Sequence, residues 1–264
     1  MTRAQPQFIS SRDNALLKDL RRLSQDSTAY RKQGRFWIEG EHLGLAALQR
    51  GIKPLMAVFS ESMWTVAPLS LTELAPKNIV VADHLFAGIS ALESPARIGF
   101  VFNLPAMLEL QPQVASVILD RVQDAGNVGS ILRSAAAFGF IQIIALRGTA
   151  ALWSPKVLRA GMGAHWGLRL IEGADMSTLA ALAIPIVVTS SHHGIFLQQV
   201  QSSHALPNPC AWAMGHEGQG VCAELQAQAQ LQIRIVQPGG EESLNVAAAA
   251  AICLHASAAA TLNG

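Results

Sequence analysis

The sequence contains only three cysteines, and none of them forms a CxxC pair. A sparse and odd set of this kind excludes a disulfide framework and favours a reducing compartment. The eight histidines show neither HExxH nor another metal-ligand spacing, and a G-x-S-x-G nucleophile elbow is absent as well. We therefore expect neither a metal site nor serine-hydrolase chemistry.

Long apolar runs are also missing. The longest, Val246 to Leu254, is about half of the ~20 residues that a helix needs to cross a bilayer, and His255 follows it. The stretch from Met1 to Pro6 lacks the apolar core of a signal peptide. We therefore expect a cytoplasmic protein that has no membrane partner.

Charged residues make up only 14% of the chain, half of it is hydrophobic, and the net charge is +1. The basic residues are unevenly spread: residues 1–53 hold ten Lys and Arg against five Asp and Glu, whereas residues 112–264 hold seven against eight. This asymmetry fits a basic part that binds nucleic-acid phosphates, joined to a neutral part that carries out chemistry. A solvated helix face explains the same charges, and both interpretations stay open.

Hydrophobic periodicity predicts two α/β domains, residues 1–105 and 114–264, joined by a proline-flanked linker over 106–113. Leucines at helical spacing over residues 10–33 predict one amphipathic helix in the first domain. The second domain alternates buried strand-like runs with helical patterns; the runs are Val117–Leu119, Ile141–Leu146, Ile184–Val188, Ala211–Met214 and Ile233–Val236. Near-continuous apolar strands of this kind predict a mostly parallel sheet with helices on both faces.

Three short polar islands follow strand-like runs of the second domain. They are Asn127 to Arg133, Gly215 to Gly220, and Glu242 to Val246. Open α/β sheets build their ligand sites where strands end, and glycine lets a ligand approach the backbone. The three islands together predict a binding or catalytic site.

Each island also has a purely structural interpretation. Asn127 could open a helix as its cap, Glu217 could be an acid at a helix start, and Ser243 or Asn245 could cap the last helix. Arg133 falls less than two turns after Asn127, where it could bind a phosphate or carboxylate. Capping and ligand contact are compatible, so neither interpretation excludes the other.

Gly161 to Gly167 is similar to a dinucleotide fingerprint, which would make the chain an α/β oxidoreductase. Its third glycine is one place late, and neither a strong strand before it nor an acidic ribose-binding residue after it is present. A helix end packed closely on the sheet is the preferred interpretation.

Together the islands closely resemble the three motifs of the SpoU (TrmH-type) ribose methyltransferases of the SPOUT class. Asn-x-Gly-x-x-x-Arg is matched by Asn127, Gly129 and Arg133, and Gly-x-Glu-x-x-Gly by Gly215, Glu217 and Gly220. The third motif, Ser-Leu-Asn-Val, is matched by residues 243–246, with Gly239 before it. The stretches from Ile9 to Lys18 and from Phe36 to Gly40 also resemble the substrate-binding domain of these enzymes, which is similar to a ribosomal-protein RNA-binding fold.

The resemblance implies 2′-O-methylation of an RNA ribose with S-adenosylmethionine, a C-terminal trefoil knot and a homodimer with active sites at the subunit interface. Ribosomal RNA is a more expected substrate than transfer RNA, because an N-terminal domain of this type is more often seen in the ribosomal enzymes. The implied cofactor contacts are backbone groups of Gly215, Ile235 and Leu244. The family's third motif often begins Ile-Pro-Met, whereas this chain has Ile235, Val236 and Gln237.

The family's motif-one arginine is often proposed as the base that removes the ribose proton. Arg133 has no acceptor while it is charged, so we favour a role in binding the adjacent RNA phosphate. The remaining expected catalytic residues orient the ribose and the arginine; they are Asn127, Glu217, Ser243 and Asn245. A non-catalytic RNA-binding protein with this fold is the main alternative, and a transfer RNA methyltransferase is the second.

Overall fold

The computed structural model describes residues 5–239 and 243–262, which form two compact units. The first unit comprises Met1–Ala106 and Trp153–Trp166, and the second comprises Met107–Leu152 and Gly167–Gly264. The strands are β1 (Gln7–Ile9), β2 (Arg35–Glu39), β3 (Met56–Ser60), β4 (Asn78–Val81), β5 (Ile98–Asn103), β6 (Ser116–Leu119), β7 (Gln142–Leu146), β8 (Arg169–Ala174), β9 (Ile186–Thr189), β10 (Ile195–Phe196), β11 (Ala211–Met214) and β12 (Leu231–Arg234). The α-helices are α1 (Ala15–Gln25), α2 (Ala29–Gln33), α3 (Glu41–Gln49), α4 (Glu61–Val66), α5 (Leu69–Thr72), α6 (Asp83–Ala87), α7 (Ala125–Ala137), α8 (Pro155–Ala160), α9 (Leu197–Ser202), α10 (Ala223–Gln228) and α11 (Val246–Leu262), and Ala164–Gly167 and Met176–Leu182 form 3₁₀ helices.

The first unit contains a five-stranded mixed sheet in the order β1-β4-β3-β5-β2. β1, β4 and β3 are parallel, whereas β5 runs antiparallel to both β3 and β2. The single helix predicted over residues 10–33 is divided into α1 and α2. Asp26 causes the break, because its Oδ1 accepts the backbone N–H of Thr28 at 2.8 Å and so favours a turn over a continued helix.

The second unit contains a seven-stranded sheet in the order β10-β12-β9-β11-β6-β7-β8, and neighbouring strands in this order pair in parallel. The predicted α/β class with a parallel sheet is therefore confirmed. β8 and β10 were not predicted, because these short or half-exposed edge strands lack a continuous apolar run. The strand order does not trace the threading of the chain, so the trefoil knot stays a prediction.

The C-terminal helix packs against the middle of the second sheet. α11 packs on α7 and on β11. Trp212 of β11 is fully buried, and its Nε1 donates a hydrogen bond to Oγ of Ser257 at 2.8 Å. A buried indole N–H needs such a partner, and this bond fixes the helix that begins at the third island. None of the helices within residues 5–239 and 243–262 combines the length and the apolar character that a membrane crossing requires.

Residues 153–166 belong to the first unit, although the sequence prediction placed them in a continuous second domain. Trp153 packs on Phe36 at a centroid distance of 4.8 Å, and Trp166 packs on Phe102 at 4.9 Å. Aromatic pairs at these distances contribute beyond their buried area. The run from Gly161 to Gly167 follows helix α8 rather than a strand, so it lacks the strand–turn–helix context of a dinucleotide loop.

Candidate active site

The three polar islands follow strands at the carboxyl edge of the second sheet. β6 and β11 are parallel neighbours, so the loops after Leu119 and Met214 leave the sheet side by side. β12 ends at Arg234 on the same edge, with β9 between it and β11. Strands β7 and β8 lie on one side of β6 and strands β9 to β12 on the other, which makes this edge a topological switch point. Ligand sites of open α/β sheets form at such points.

The first island lies in the first turns of α7, and the structure corrects the predicted cap. We predicted that Asn127 opens this helix, but the helix begins at Ala125 with Asp124 as its N-cap. Oδ1 of Asp124 accepts the backbone N–H of Asn127 at 2.7 Å. The aspartate satisfies an otherwise unpaired helix amide, so the side chain of Asn127 is available for other partners.

Glu217 of the second island accepts three hydrogen bonds from the start of α7. Its Oε1 accepts from Nδ2 of Asn127 and from the backbone N–H of Asp124, both at 3.1 Å, and Oε2 accepts from the N–H of Gln123 at 3.2 Å. Burial is the largest single influence and raises the pKa of Glu217. The hydrogen bonds, led by that from Asn127, together outweigh burial and hold this pKa below its ordinary value. The carboxylate is therefore ionised near neutral pH.

The third island joins the first through Asn245. Nδ2 of Asn245 donates to Oδ1 of Asn127 at 2.9 Å. Oδ1 of Asn245 accepts the backbone N–H groups of Ala247 at 2.9 Å and Ala248 at 3.3 Å, so the same side chain caps α11. Capping and contact between motifs thus occur together. We call the hydrogen-bonded series Glu217–Asn127–Asn245 the amide chain.

The second island is a tight loop that closes on itself. His216 and Gly220 exchange two backbone hydrogen bonds of 3.1 and 2.8 Å, and Nδ1 of His216 accepts the N–H of Gly218 at 3.0 Å. A Cβ atom on Gly215 would collide with the backbone of Gly220 and Val221. Only glycine fits at position 215, because the backbone of residues 220 and 221 passes directly against it.

Glu217 does not cap a helix. The next helix, α10, begins at Ala223 and has Cys222 as its N-cap residue. The structural interpretation of Glu217 from the sequence, an acid at a helix start, is therefore wrong for α10. The carboxylate instead binds the start of α7, which follows the neighbouring strand.

Arg133 lies apart from the amide chain. It is exposed on α7, six residues and roughly 9 Å of helix axis beyond Asn127. Within residues 5–239 and 243–262 its guanidinium has no hydrogen-bond or ion-pair partner. All five N–H donors of this side chain are thus available to a ligand, and their fork geometry suits a phosphate or carboxylate.

The residues predicted to hold the cofactor surround the same edge of the sheet. Gly215 is buried directly after β11, Ile235 is half-buried directly after β12, and Leu244 is exposed next to Asn245. Ser243 is exposed at the start of the third island. Glu242, which we assigned to this island, lies outside the described residues.

The segment after β12 contains a buried acceptor without a partner. Oε1 of Gln237 is buried and has no hydrogen-bond partner in the described part of the chain. Buried polar atoms are nearly always paired, and an unpaired one in a native protein calls for an explanation. The ammonium and adenine amino groups of S-adenosylmethionine are suitable donors. The residues present therefore fit this cofactor.

Two further residues at this edge were missed from the sequence. Asp120 directly follows β6, and Arg121 follows Asp120; both contact the loop that carries Glu217. The available signal was an acid placed immediately after an apolar strand, the same signal that singled out Glu217.

Comparison with known proteins agrees with this geometry. Residues 115–255 match the SpoU rRNA Methylase family. The chain is 30% identical over 251 residues to the 23S rRNA (guanosine(2553)-2′-O)-methyltransferase RlmP of Bacillus subtilis strain 168, covering 94% of this chain and 97% of that protein. A crystal structure of an RNA 2′-O ribose methyltransferase is similar with a TM-score of 0.80 at 28% identity, covering 97% of this chain and 99% of that one.

A structure with the cofactor is similar as well. The AdoMet-bound rRNA methyltransferase of Sinorhizobium meliloti has a TM-score of 0.82 at 25% identity, and the match covers 96% of this chain and 98% of that one. The region that matches the family model contains all three islands, and these relatives extend the similarity over nearly the whole length. The chain therefore belongs to the SpoU rRNA methylase family and is an RNA 2′-O-ribose methyltransferase.

Proposed function

We propose that the chain transfers the methyl group of S-adenosylmethionine to a ribose 2′-hydroxyl of 23S ribosomal RNA. The observation that carries this proposal is the amide chain, which joins the three motifs into one site at the sheet edge. The substrate class follows the Bacillus subtilis relative, which acts on 23S rRNA, and the cofactor follows the AdoMet-bound relative of Sinorhizobium meliloti.

Backbone groups of Gly215, Ile235 and Leu244 are assigned to the cofactor, and Oε1 of Gln237 accepts one of its N–H groups. When bound, S-adenosylmethionine supplies an electrophilic methyl group. These residues hold and orient it, and most of the rate acceleration in such a transfer comes from fixing the reacting atoms in line. Their positions next to the ends of β11 and β12 support the assignment.

Glu217 and Asn245 position Asn127, whose amide faces both of them. A carboxylate whose pKa is lowered is a weaker general base, so we assign Glu217 to positioning rather than to removing the ribose proton. Because its Nδ2 donates to Glu217 and its Oδ1 accepts from Asn245, Asn127 is fixed in one orientation of its amide. Asn127 and the hydroxyl of Ser243 are assigned to the ribose.

Arg133 binds the phosphate next to the target nucleotide. Its exposed guanidinium has free donors and cannot accept a proton while charged, which argues against a role as base. A bidentate arginine–phosphate contact also fixes the nucleotide in register without reading its base.

The first unit supplies RNA affinity. The basic residues of α1 and α2 lie on the exposed side of these helices, while Leu17, Leu20 and Leu23 of α1 are buried. The exposed basic residues are Lys18, Arg22, Arg31 and Lys32. Such a surface contributes phosphate contacts that weaken as salt rises.

The working form is a homodimer that pairs through α11. This helix contains no Asp, Glu, Lys or Arg, and its residues Ala248, Ile252 and His255 are exposed along one side. Ile252 is 40% exposed. An apolar helix face of this kind is commonly covered by another chain.

The decisive experiment uses the full-length protein, radiolabelled S-adenosylmethionine and three RNA samples from cells lacking the protein: 23S rRNA, 16S rRNA and total tRNA. We expect label in 23S rRNA only, at a single ribose that is unmethylated in those cells and methylated in the wild type. The Asn127→Ala protein serves as the matched negative variant, and the Arg133→Ala protein should need more RNA to reach the same label.

Three results would contradict the proposal in different ways. Label in tRNA alone would support the transfer RNA alternative. Cofactor binding by calorimetry without transfer to any RNA would support the non-catalytic alternative. Absence of cofactor binding would refute the assignment of the sheet edge as the cofactor site.

A further inference from the structure

Asp120 makes a second connection between the β6–α7 loop and the loop that carries Glu217. It directly follows β6, is 2% exposed, and its backbone N–H donates to the carbonyl of Met214 at 2.8 Å. Its Oδ2 accepts the backbone N–H of Cys222 at 2.6 Å, just beyond the far end of the Glu217 loop. Asp120 thus holds both ends of that loop, the Met214 end through its backbone N–H and the Cys222 end through its buried carboxylate.

Arg121 extends this connection to the tip of the same loop. Its Nε donates to Oδ1 of Asp120 at 2.9 Å, and its Nη1 donates to Oε1 of Gln219 at 2.9 Å. Burial is the largest influence on Asp120 and raises its pKa, but the bonds from Arg121 and Cys222 outweigh it and keep this pKa below the ordinary value. The hydrogen bond to Asp120 raises the pKa of Arg121, so both side chains are ionised near neutral pH.

The backbone of Arg121 adopts an unfavourable conformation while its side chain contacts Asp120 and Gln219. Its φ of 58° lies in the left-handed region, which is unfavourable for a non-glycine residue. The strain persists because the N–H of Arg121 donates to Oγ1 of Thr149 at 3.1 Å. Gly148 adds room, since a Cβ there would lie only 3.1 Å from Cγ of Arg121.

We propose that Arg121 is a positioning residue of the methyl-transfer site. By joining Asp120 to Gln219, it holds the Glu217 loop against the start of α7, where Glu217 meets Asn127. Glu217 is thereby fixed from two directions, by its own hydrogen bonds and through Gln219. This inference rests on the proposed function for its effect on turnover, but the holding of the loop is independent of activity.

The test compares four full-length variants with the wild type. Arg121→Asn removes the guanidinium while keeping a residue that tolerates the left-handed backbone, so folding is retained. Gln219→Leu removes the acceptor, and Gln219→Glu keeps an acceptor for the guanidinium. Arg147→Met is the matched control, because Arg147 forms an exposed ion pair with Asp175 at the end of β7.

The first readout is amide hydrogen exchange of residues 123–124 and 216–222 in the absence of ligands. We expect exchange about tenfold faster in Arg121→Asn and Gln219→Leu, and unchanged exchange in Gln219→Glu and Arg147→Met. The second readout is steady-state kinetics with 23S rRNA. We expect kcat about tenfold lower in the first two variants, with KM for S-adenosylmethionine within about threefold of the wild type.

A double variant, Arg121→Asn with Gln219→Leu, separates positioning from general loss of stability. Both substitutions remove the same hydrogen bond, that between Arg121 and Gln219. The kcat of the double variant should therefore equal that of Arg121→Asn, whereas independent effects would multiply the two losses. Unchanged exchange in Arg121→Asn, multiplicative effects, or equal losses in Gln219→Glu and Gln219→Leu would overturn the inference. Faster exchange together with a wild type that methylates no RNA would instead overturn the proposed function and leave the loop contact established.

Discussion

Nδ2 of Asn245 donates a hydrogen bond to Oδ1 of Asn127 across 118 residues of sequence. Asn127 in turn donates to Glu217, so three separated motifs share one continuous hydrogen-bonded path. In both asparagines the side-chain N–H group donates to one partner and the side-chain oxygen accepts from another, so each amide is held in one orientation.

Asn245→Asp is expected to lower kcat about a hundredfold without unfolding α11. Aspartate caps a helix as well as asparagine does, but it lacks the N–H that Asn127 accepts, so only the contact between motifs is lost. Single-turnover methylation and the far-UV circular dichroism melt measure the two effects separately. Asn127→Ala should give a similar loss, and adding it to Asn245→Asp should cost at most a few-fold more. A multiplicative loss would contradict the amide chain as one unit.

Glu217→Gln is expected to lower stability near neutral pH but not in strong acid. The pKa of Glu217 is lowered in the folded chain, so its carboxylate stabilises the fold fully above the unfolded value of about 4.3. That contribution is lost as the pH falls through the folded value. Urea unfolding of both proteins at pH 7, 5 and 3 should show a difference that shrinks towards pH 3. If the difference in the free energy of unfolding grew in acid, the pKa of Glu217 would be raised in the folded chain rather than lowered.

Arg133→Ala is expected to raise KM for RNA while leaving the affinity for S-adenosylmethionine unchanged. Loss of one phosphate contact should reduce the slope of log affinity against log salt by about 1. Arg133→Lys keeps the charge but not the fork, so an intermediate turnover is expected. Near-normal turnover of the lysine variant would contradict both the phosphate role and a role as base.

Ile252→Glu is expected to convert the proposed dimer into a monomer. A carboxylate in the centre of an apolar contact loses its hydration without gaining a partner. Light scattering on a size-exclusion column measures the mass, and Val66→Glu in the first unit, at a residue 72% exposed, is the control. If the wild type is already monomeric at micromolar concentration, the dimer proposal fails.

Gln237→Met is expected to stabilise the free protein and to weaken cofactor binding. It removes a buried unpaired acceptor, which should raise the free energy of unfolding by about 1 kcal/mol. If Oε1 accepts an N–H of the cofactor, the same change lowers affinity for S-adenosylmethionine about threefold to tenfold. Chemical unfolding and calorimetry give the two values. Stabilisation with unchanged affinity would separate Gln237 from the cofactor site.

The convergence of the islands was predictable because carboxyl ends of parallel strands share one edge of a sheet. The local details were not, since they depend on competition between near neighbours. The sequence pattern predicts Asn127 as a cap, but Asp124, three residues earlier, is an equally good capping residue and takes that position in the structure. Arg121 carries no sequence signal for a left-handed backbone, which is set by Thr149 and Gly148 from another loop.

Residues 153–166 pack with the first unit for a related reason. A local hydrophobic pattern shows that a segment is buried, but it does not show which core buries it. Proximity in sequence favoured the second domain, whereas Trp153 and Trp166 pack with Phe36 and Phe102. Their partners lie more than fifty residues away along the chain.

The first unit is formed by two segments that are far apart in the sequence, so a single cut in the chain does not isolate it. A fragment cut after Ala106 would lack Trp153 and Trp166, leaving the aromatic rings of Phe36 and Phe102 without these neighbours. Removing a large buried aromatic residue typically costs about 3–5 kcal/mol, a substantial share of the stability of a small domain. An isolated first unit should therefore be engineered by grafting the 153–166 peptide onto the fragment through a short linker, rather than by simple truncation.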